Sequence, residues 1–282
     1  MRMTEIHEES IWKGQVIPVV LTGVVCACLV LLLRALILGL NLLTPTDVIL
    51  KVNPWDIVVG LTIYLKTSID FAIFIGSLIA RFPGWKARVA IEIGTALGNA
   101  LGTLIVLIVW AFFKEVHWLL AIMIVLAALV LFRLAQDGLE HVQEEKKTYP
   151  EWFYQLKDSF AFVLGKINTF IDPVLRFLVP HISTKEQKTR SLLSLFGLAV
   201  TIPFILGLDD FAGYVPLFNI VNVYGFGIGV FLGHMILNIF LYISPSRTIR
   251  LVKHPIISFV GSVVFVLLAL WGLKEALHLL IG

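Results

Sequence analysis

Two carboxylates sit inside long apolar runs: Asp70 in TSIDFAIFIG and Asp210 in LGLDDFAGYVPLF, each followed by Phe-Ala. A charged side chain at the centre of a bilayer costs about 2.5–3.5 kcal/mol on insertion scales, which makes such residues functional-site candidates by default. Downstream of each aspartate a glycine recurs every fourth residue, at Gly94, Gly98 and Gly102 and again at Gly225, Gly229 and Gly233. Glycines at that spacing share one helix face and admit a neighbouring backbone at close range. An acid-bearing helix followed by a glycine helix, present twice, suggests a transporter built from a duplicated unit.

The neighbours of the acids narrow the chemistry. On a continuous helix, Thr67 and Lys66, three and four residues before Asp70, share its face. Either Lys66 neutralises Asp70 so that the helix inserts, or Asp70 binds a cation and Lys66 competes for it or stands in when the site is empty. Asp209 and Asp210 repel one another, and the nearest cationic side chain in the chain is Arg190. Pro203 lacks an N–H, and Gly207, Gly213 and Pro216 flank the pair, so a helix weakened here offers carbonyl oxygens beside two carboxylates. The bland alternative is a hydrated pair at the outer interface.

On the glycine helices, Asn99 follows Gly98, and His234 and Asn238 lie four apart on one face. His234 reads as a ligand, a proton carrier or a hydrogen-bonded interior histidine, and Asn238 as a coupling residue beside it. Glu92, close to a basic turn, reads as a solvated interface charge. Asn219, Asn222 and Tyr224 read as an outer vestibule or as ordinary loop residues. Carboxylate, amide, hydroxyl and carbonyl oxygens with one imidazole suit a hard divalent ion such as Mn²⁺, Ca²⁺ or Mg²⁺. The two cysteines, Cys26 and Cys28, point apart on a helix and form no CxxC motif, so they read as packing residues.

The elements that must position these groups follow from composition. The chain is 59% hydrophobic with a mean hydropathy of +0.94. Its apolar runs predict an all-α polytopic membrane protein with seven spans, at 16–40, 56–80, 88–113, 117–135, 191–212, 218–243 and 255–281. The first run is read as a retained helix rather than a signal peptide. Seventeen Lys and Arg fall on one side of this arrangement and three on the other, which predicts a cytoplasmic N-terminus and an external C-terminus. The domain reading is an extra N-terminal helix in 1–45, a first three-helix repeat in 56–135, a linker in 136–190 and a second repeat in 191–282. With three spans each, the repeats are expected in opposite orientations, with a site between them. Arg34 is expected to snorkel from helix one. The linker segment WFYQLKDSFAFVLGKINTFIDPVLRFLV predicts an amphipathic helix on the cytoplasmic face.

The segment TIPFILGLDDFAGYVPLFN, read as T-x5-G-x-D-[DN]-x3-[FY]-V-P-x-F, resembles the second-repeat signature of the cadmium-resistance transporter family of the lysine-exporter superfamily. Thr67-x-x-Asp70 and the GTALGNALG helix are similar to that family's first repeat. The resemblance covers about 60–80, 88–113 and 195–280. It implies a six-helix inverted-repeat core that exports a divalent metal, with Asp70, Asp209 and Asp210 at the acidic positions.

The expected function is therefore secondary export of a divalent cation, with proton return, at a plasma or inner membrane. Its metal-facing set is Asp70, Asp209, Asp210, Asn99, His234 and Thr67, with Lys66 and Asn238 in coupling. Partners are the divalent cation, the proton and the bilayer; a homodimer stays open, and no cofactor or nucleic acid is expected. Export of an amino acid or other small solute, and a non-transporting scaffold, are the alternatives. No HExxH, P-loop or serine elbow is present, and Lys274 beside Glu275 lacks the surroundings of a retinal lysine.

Overall fold

The computed structural model describes residues 16–82, 84–140, 149–178, 191–206, 213–219, 221–252 and 254–281, and they are almost entirely helical. In chain order the helices are α1 (Ile17–Asn41), α2 (Pro54–Thr67), α3 (Ile69–Arg81), α4 (Trp85–Phe113) and α5 (His117–Glu140). They continue with α6 (Glu151–Leu178), α7 (Leu192–Leu206), α8 (Val223–Ile243), α9 (Pro245–Val252) and α10 (Pro255–Ile281), with a 3₁₀ turn at Val215–Asn219. Helices α1, α4, α5, α8 and α10 are each long and apolar enough to cross a membrane, and α2 with α3 form a bent pair that passes the same test. Helix α7 is apolar but shorter.

Local chemistry sets most of the boundaries. Pro54 opens α2 at a position where its missing N–H costs nothing, and Asp56 sits in the first turn near the positive end of the helix. Gly84, at φ 109°, turns the chain into α4 in a conformation that other residues rarely adopt. Asn222 caps α8: its side chain accepts from the backbone N–H groups of Tyr224 and Gly225 and donates to the Ile49 carbonyl at 2.7 Å. That anchoring makes Asn222 a helix cap.

Three differences from the sequence expectation matter. The span expected at 56–80 is two helices meeting at 64°, with the break at Ser68. Asp70 is thus in the first turn of a new helix rather than in the middle of an old one, and the break at Ser68 separates it from Thr67, the last residue of α2. The Thr67 hydroxyl instead donates back to the Tyr64 carbonyl. The helix expected from 218 starts at Val223, because Val215–Asn219 is a 3₁₀ turn. Helix α5 runs on to Glu140, so the charged stretch after 135 begins as its last turn.

Helix α7 carries Pro203 and ends at Leu206; Asp209 and Asp210 lie outside the described residues.

Packing is dominated by three pairs: α2 against α8, α4 against α7, and α5 against α10. The first two are crosswise, since the glycine helix of each half lies on the helix that precedes the acid in the other half. Gly94 approaches the Phe196 carbonyl and Ala199, and Gly98 meets the Val200 carbonyl and the Phe204 amide. In the other half, Gly225 meets Asp56, Gly229 meets Ile57, Gly60 and Leu61, and Gly233 meets the Tyr64 ring. Gly102 is buried in the same stripe as Gly94 and Gly98.

The two seams share a register. Phe196 and Asp56, and Val200 and Gly60, are each 140 positions apart, as are Asp210 and Asp70, while the matching glycines Gly94 and Gly225, and Gly98 and Gly229, are each 131 apart.

Helix α1 packs on both glycine helices, with Leu33 against Gly227. Helix α6 packs on α5, and its Asn168 amide donates to the Phe132 carbonyl and to Gln136 Oε1. Phe153 and Phe160 of α6 also stack edge-on against Phe259 of α10. Helices α5, α6 and α10 therefore form one group and α1–α4 with α7–α9 another.

Candidate functional site

Helix α4 presents Glu92, Thr95, Asn99 and Thr103 at three- and four-residue spacing, all buried. Helix α8 presents His234, Asn238 and Tyr242, each four residues from the next and likewise buried. Between these stripes runs a continuous polar chain. The Tyr64 hydroxyl lies 2.7 Å from His234 Nδ1. On the other side of the ring, Nε2 lies 2.9 Å from Asn238 Nδ2 and 3.5 Å from Thr95 Oγ1. With the Asn238 amide nitrogen as donor, Nε2 accepts, and the imidazole proton sits on Nδ1 facing Tyr64.

The chain continues from Asn238. The side chains of Asn238 and Thr22 are within hydrogen-bonding reach of the Glu92 carboxylate. Tyr242 donates to Glu92 Oε2 at 2.8 Å and also reaches the Arg88 carbonyl at 3.0 Å. Glu92 is 1% exposed, so the solvated interface charge expected from its sequence position is in fact an interior carboxylate. Its position near the start of α4 was misleading because α1 covers it with Thr22 and α8 with Tyr242. Tyr64, Thr22 and Tyr242 were not singled out as site residues from sequence. The available signal was the four-residue spacing of Tyr242 after His234 and Asn238.

The buried polar atoms that have no hydrogen-bond partner among the described residues include both amide atoms of Asn99, which is 0% exposed, the hydroxyls of Ser68 and Ser258, also 0% exposed, and the Trp110 indole N–H. Burying an unpaired amide costs roughly 1–3 kcal/mol, so Asn99 is either a stored cost or a ligand for something mobile. Asn99 directly follows Gly98, which packs on Val200 and Phe204 of α7. Ser68 is the residue of the α2–α3 break, two positions before Asp70. Ala72 caps back to its carbonyl at 2.9 Å.

Lys66 leaves this cluster for the other helix group. Its ammonium donates to the Ser258 carbonyl of α10 at 3.0 Å, while its stem crosses Gly261 so closely that a methyl there would overlap it. Gly138 of α5 completes the gap: a Cβ there would lie 3.0 Å from Lys66 Nζ and 2.7 Å from Ser262 Oγ. The Phe265 ring lies 5.9 Å from the ammonium. The described partner of Lys66 is thus a backbone carbonyl across a helix interface; the side chain of Asp70 is not among those described.

The structure brings His234 of the expected metal-facing set into direct contact with Asn238, expected in coupling, with Thr95 of the Asn99 stripe at the same ring. Thr67 turns away into a backbone bond. Among the described residues no group of three or more His, Cys, Asp or Glu side chains is placed to hold a metal ion. No family model, curated protein or solved structure matches the chain.

Proposed function

We propose that the chain is a secondary transporter that exports a divalent cation across a plasma or inner membrane in exchange for protons. In this reading α2 with α3, and α7 with the residues that follow it, are the acid-bearing spans of two inverted repeats, giving seven spans with a cytoplasmic N-terminus. The observation that carries it is the crosswise packing: each glycine helix lies on the acid-linked helix of the other half, at the same 140-residue offset that relates Asp70 to Asp210. Such an exchange of partners is the contact pattern of a two-fold repeat, and substrate sites of such transporters lie at the repeat interface near the midplane. The resemblance of TIPFILGLDDFAGYVPLFN to the cadmium-resistance transporter family agrees with it.

The mechanism assigns Asp70 and Asp210 to the cation, with Asn99 as a neutral oxygen ligand. The Glu92 carboxylate and the His234 imidazole are the proton-holding groups of this reading, and Tyr64, Asn238 and Tyr242 orient them by hydrogen bonds without carrying the proton themselves. The interruption at Ser68 supplies the flexible point, and the smooth glycine faces let one seam slide on the other.

Thermal unfolding of the detergent-purified protein against Mn²⁺, Ca²⁺, Mg²⁺, Zn²⁺ and Cd²⁺, with Asp70→Asn and Asp210→Asn alongside, tests the reading. One ion that stabilises the parent and neither variant is the expected result. Vesicle transport that survives in both variants refutes it. A second reading, export of an amino acid or similar solute, draws on the same acids. The buried amide of Asn99 beside Thr95 favours it to the extent that a solute with its own donors and acceptors would satisfy both amide atoms. Stabilisation by amino acids and by no metal selects that outcome.

A further inference from the structure

Lys66 also lines two apolar clefts that open sideways from the helix bundle. One, of about 360 Å³, lies between α2, α8, α9 and the start of α10, with walls that include Leu65, Phe240, Leu251 and Ile257. Its polar lining is Ser244, Arg247 and Thr248 of the α8–α9 corner together with Lys66. The lining contains no Asp or Glu. The second, of about 380 Å³, continues on the far side of Lys66 between α2 and α10.

The medium that meets a sideways cleft between membrane helices is acyl chain, and basic pockets at the ends of such clefts recognise anionic head groups. Helix α9 adds to the match. It is a short helix lying against α3, with Ile249 packed on Gly76 while Arg247 and Arg250 stay exposed. We propose that the α2–α8–α9 cleft binds one anionic phospholipid, its phosphate paired with Arg247 and one acyl chain lying along Phe240 and Ile257. The apolar wall selects a lipid over a free anion, which would gain nothing from it, and the exposed Arg247, with no Asp or Glu in the lining, selects an anionic lipid over a zwitterionic one. The inference is independent of the transported substrate.

The test is thermal unfolding and native mass spectrometry of the full chain in detergent, titrated with phosphatidylglycerol, with phosphatidylcholine of the same acyl chains, or with inorganic phosphate. Phosphatidylglycerol is expected to raise the midpoint and remain bound while the other two do neither. Arg247→Gln should weaken the apparent affinity about fivefold, the worth of one basic group near a membrane surface. Leu251→Trp, which fills the cleft and leaves Arg247 in place, should abolish retention. Arg250→Gln, outside the lining, should leave it unchanged. An equal response to both lipids or to inorganic phosphate overturns the proposal. So does an effect of Arg250→Gln as large as that of Arg247→Gln, which would mean a diffuse basic surface.

Discussion

Replacing Gly229 by alanine pits two effects of opposite sign against each other. Alanine is about 1 kcal/mol better than glycine within a helix. At Gly229, however, the added Cβ would overlap the Ile57 carbonyl and lie 2.8 Å from the Leu61 amide and 3.0 Å from the Gly60 Cα. All three are backbone atoms, which cannot rotate away as a side chain can, so α2 and α8 must move apart along the seam. Overpacking costs about 1–3 kcal/mol, and an all-backbone contact belongs in the upper half of that range. The net expectation is a destabilisation of about 1–2 kcal/mol, and the same holds at Gly98, where the Val200 carbonyl is in the way. Gly197 of α7 and Gly23 of α1 have nothing within 4 Å of the added atom. There only the propensity term acts, and alanine should stabilise by about 0.5–1 kcal/mol. Thermal unfolding in one detergent reads the split, at about 2–4 °C per kcal/mol for a chain of this size. Gly229→Ala and Gly98→Ala should fall while Gly197→Ala and Gly23→Ala rise. Gly229→Ala and Gly197→Ala shifting in the same direction would refute the argument that the glycine stripes are contact surfaces.

Other substitutions probe the buried polar groups. Tyr242→Phe removes the hydroxyl that reaches Glu92 and Arg88 and leaves a buried carboxylate short of a donor, so a loss of about 1–3 kcal/mol is expected by thermal unfolding. Lys66→Met keeps the stem across Gly261 and loses only the bond to Ser258, whose carbonyl still accepts from Ser262; its cost should stay near 1 kcal/mol, and Gly261→Ala should cost more. Asn222→Ala strips the α8 cap and the tie to Ile49, for an expected loss of about 1–2 kcal/mol and faster amide exchange at Tyr224 and Gly225.

The long apolar runs and the glycine spacing were legible in the sequence because both are periodic features that helical geometry forces into view. Gly94, Gly98, Gly225, Gly229 and Gly233 meet their partner helices as a close-packing face should, although nothing in the spacing said which helix each would meet. The interruption at Ser68 was not legible. It has no proline or glycine, and the only hint was Thr67-Ser68, whose side chains compete for backbone hydrogen bonds. Glu92 was misread because its sequence neighbours are basic while its spatial neighbours, Thr22 and Tyr242, come from α1 and the end of α8. Burial of that kind depends on tertiary contacts across the chain. Lys66 was read against Asp70, its helical neighbour, whereas its described bond runs to Ser258, 192 residues away.

Crosswise packing has a consequence for how the protein is made. Tyr64 finds His234 only 170 residues later in the chain, a delay of about 10–30 s at ordinary rates of synthesis. Throughout that interval α2 lacks the α8 face that its Gly60 groove and Tyr64 ring pack against, and α4 waits in the same way for α7. Neither half can mature by itself: the early helices are completed by the late ones. A defect in α8 would thus first appear as a nascent first half held too long in an unfinished state, open to capture by quality control before the C-terminal helix has left the ribosome.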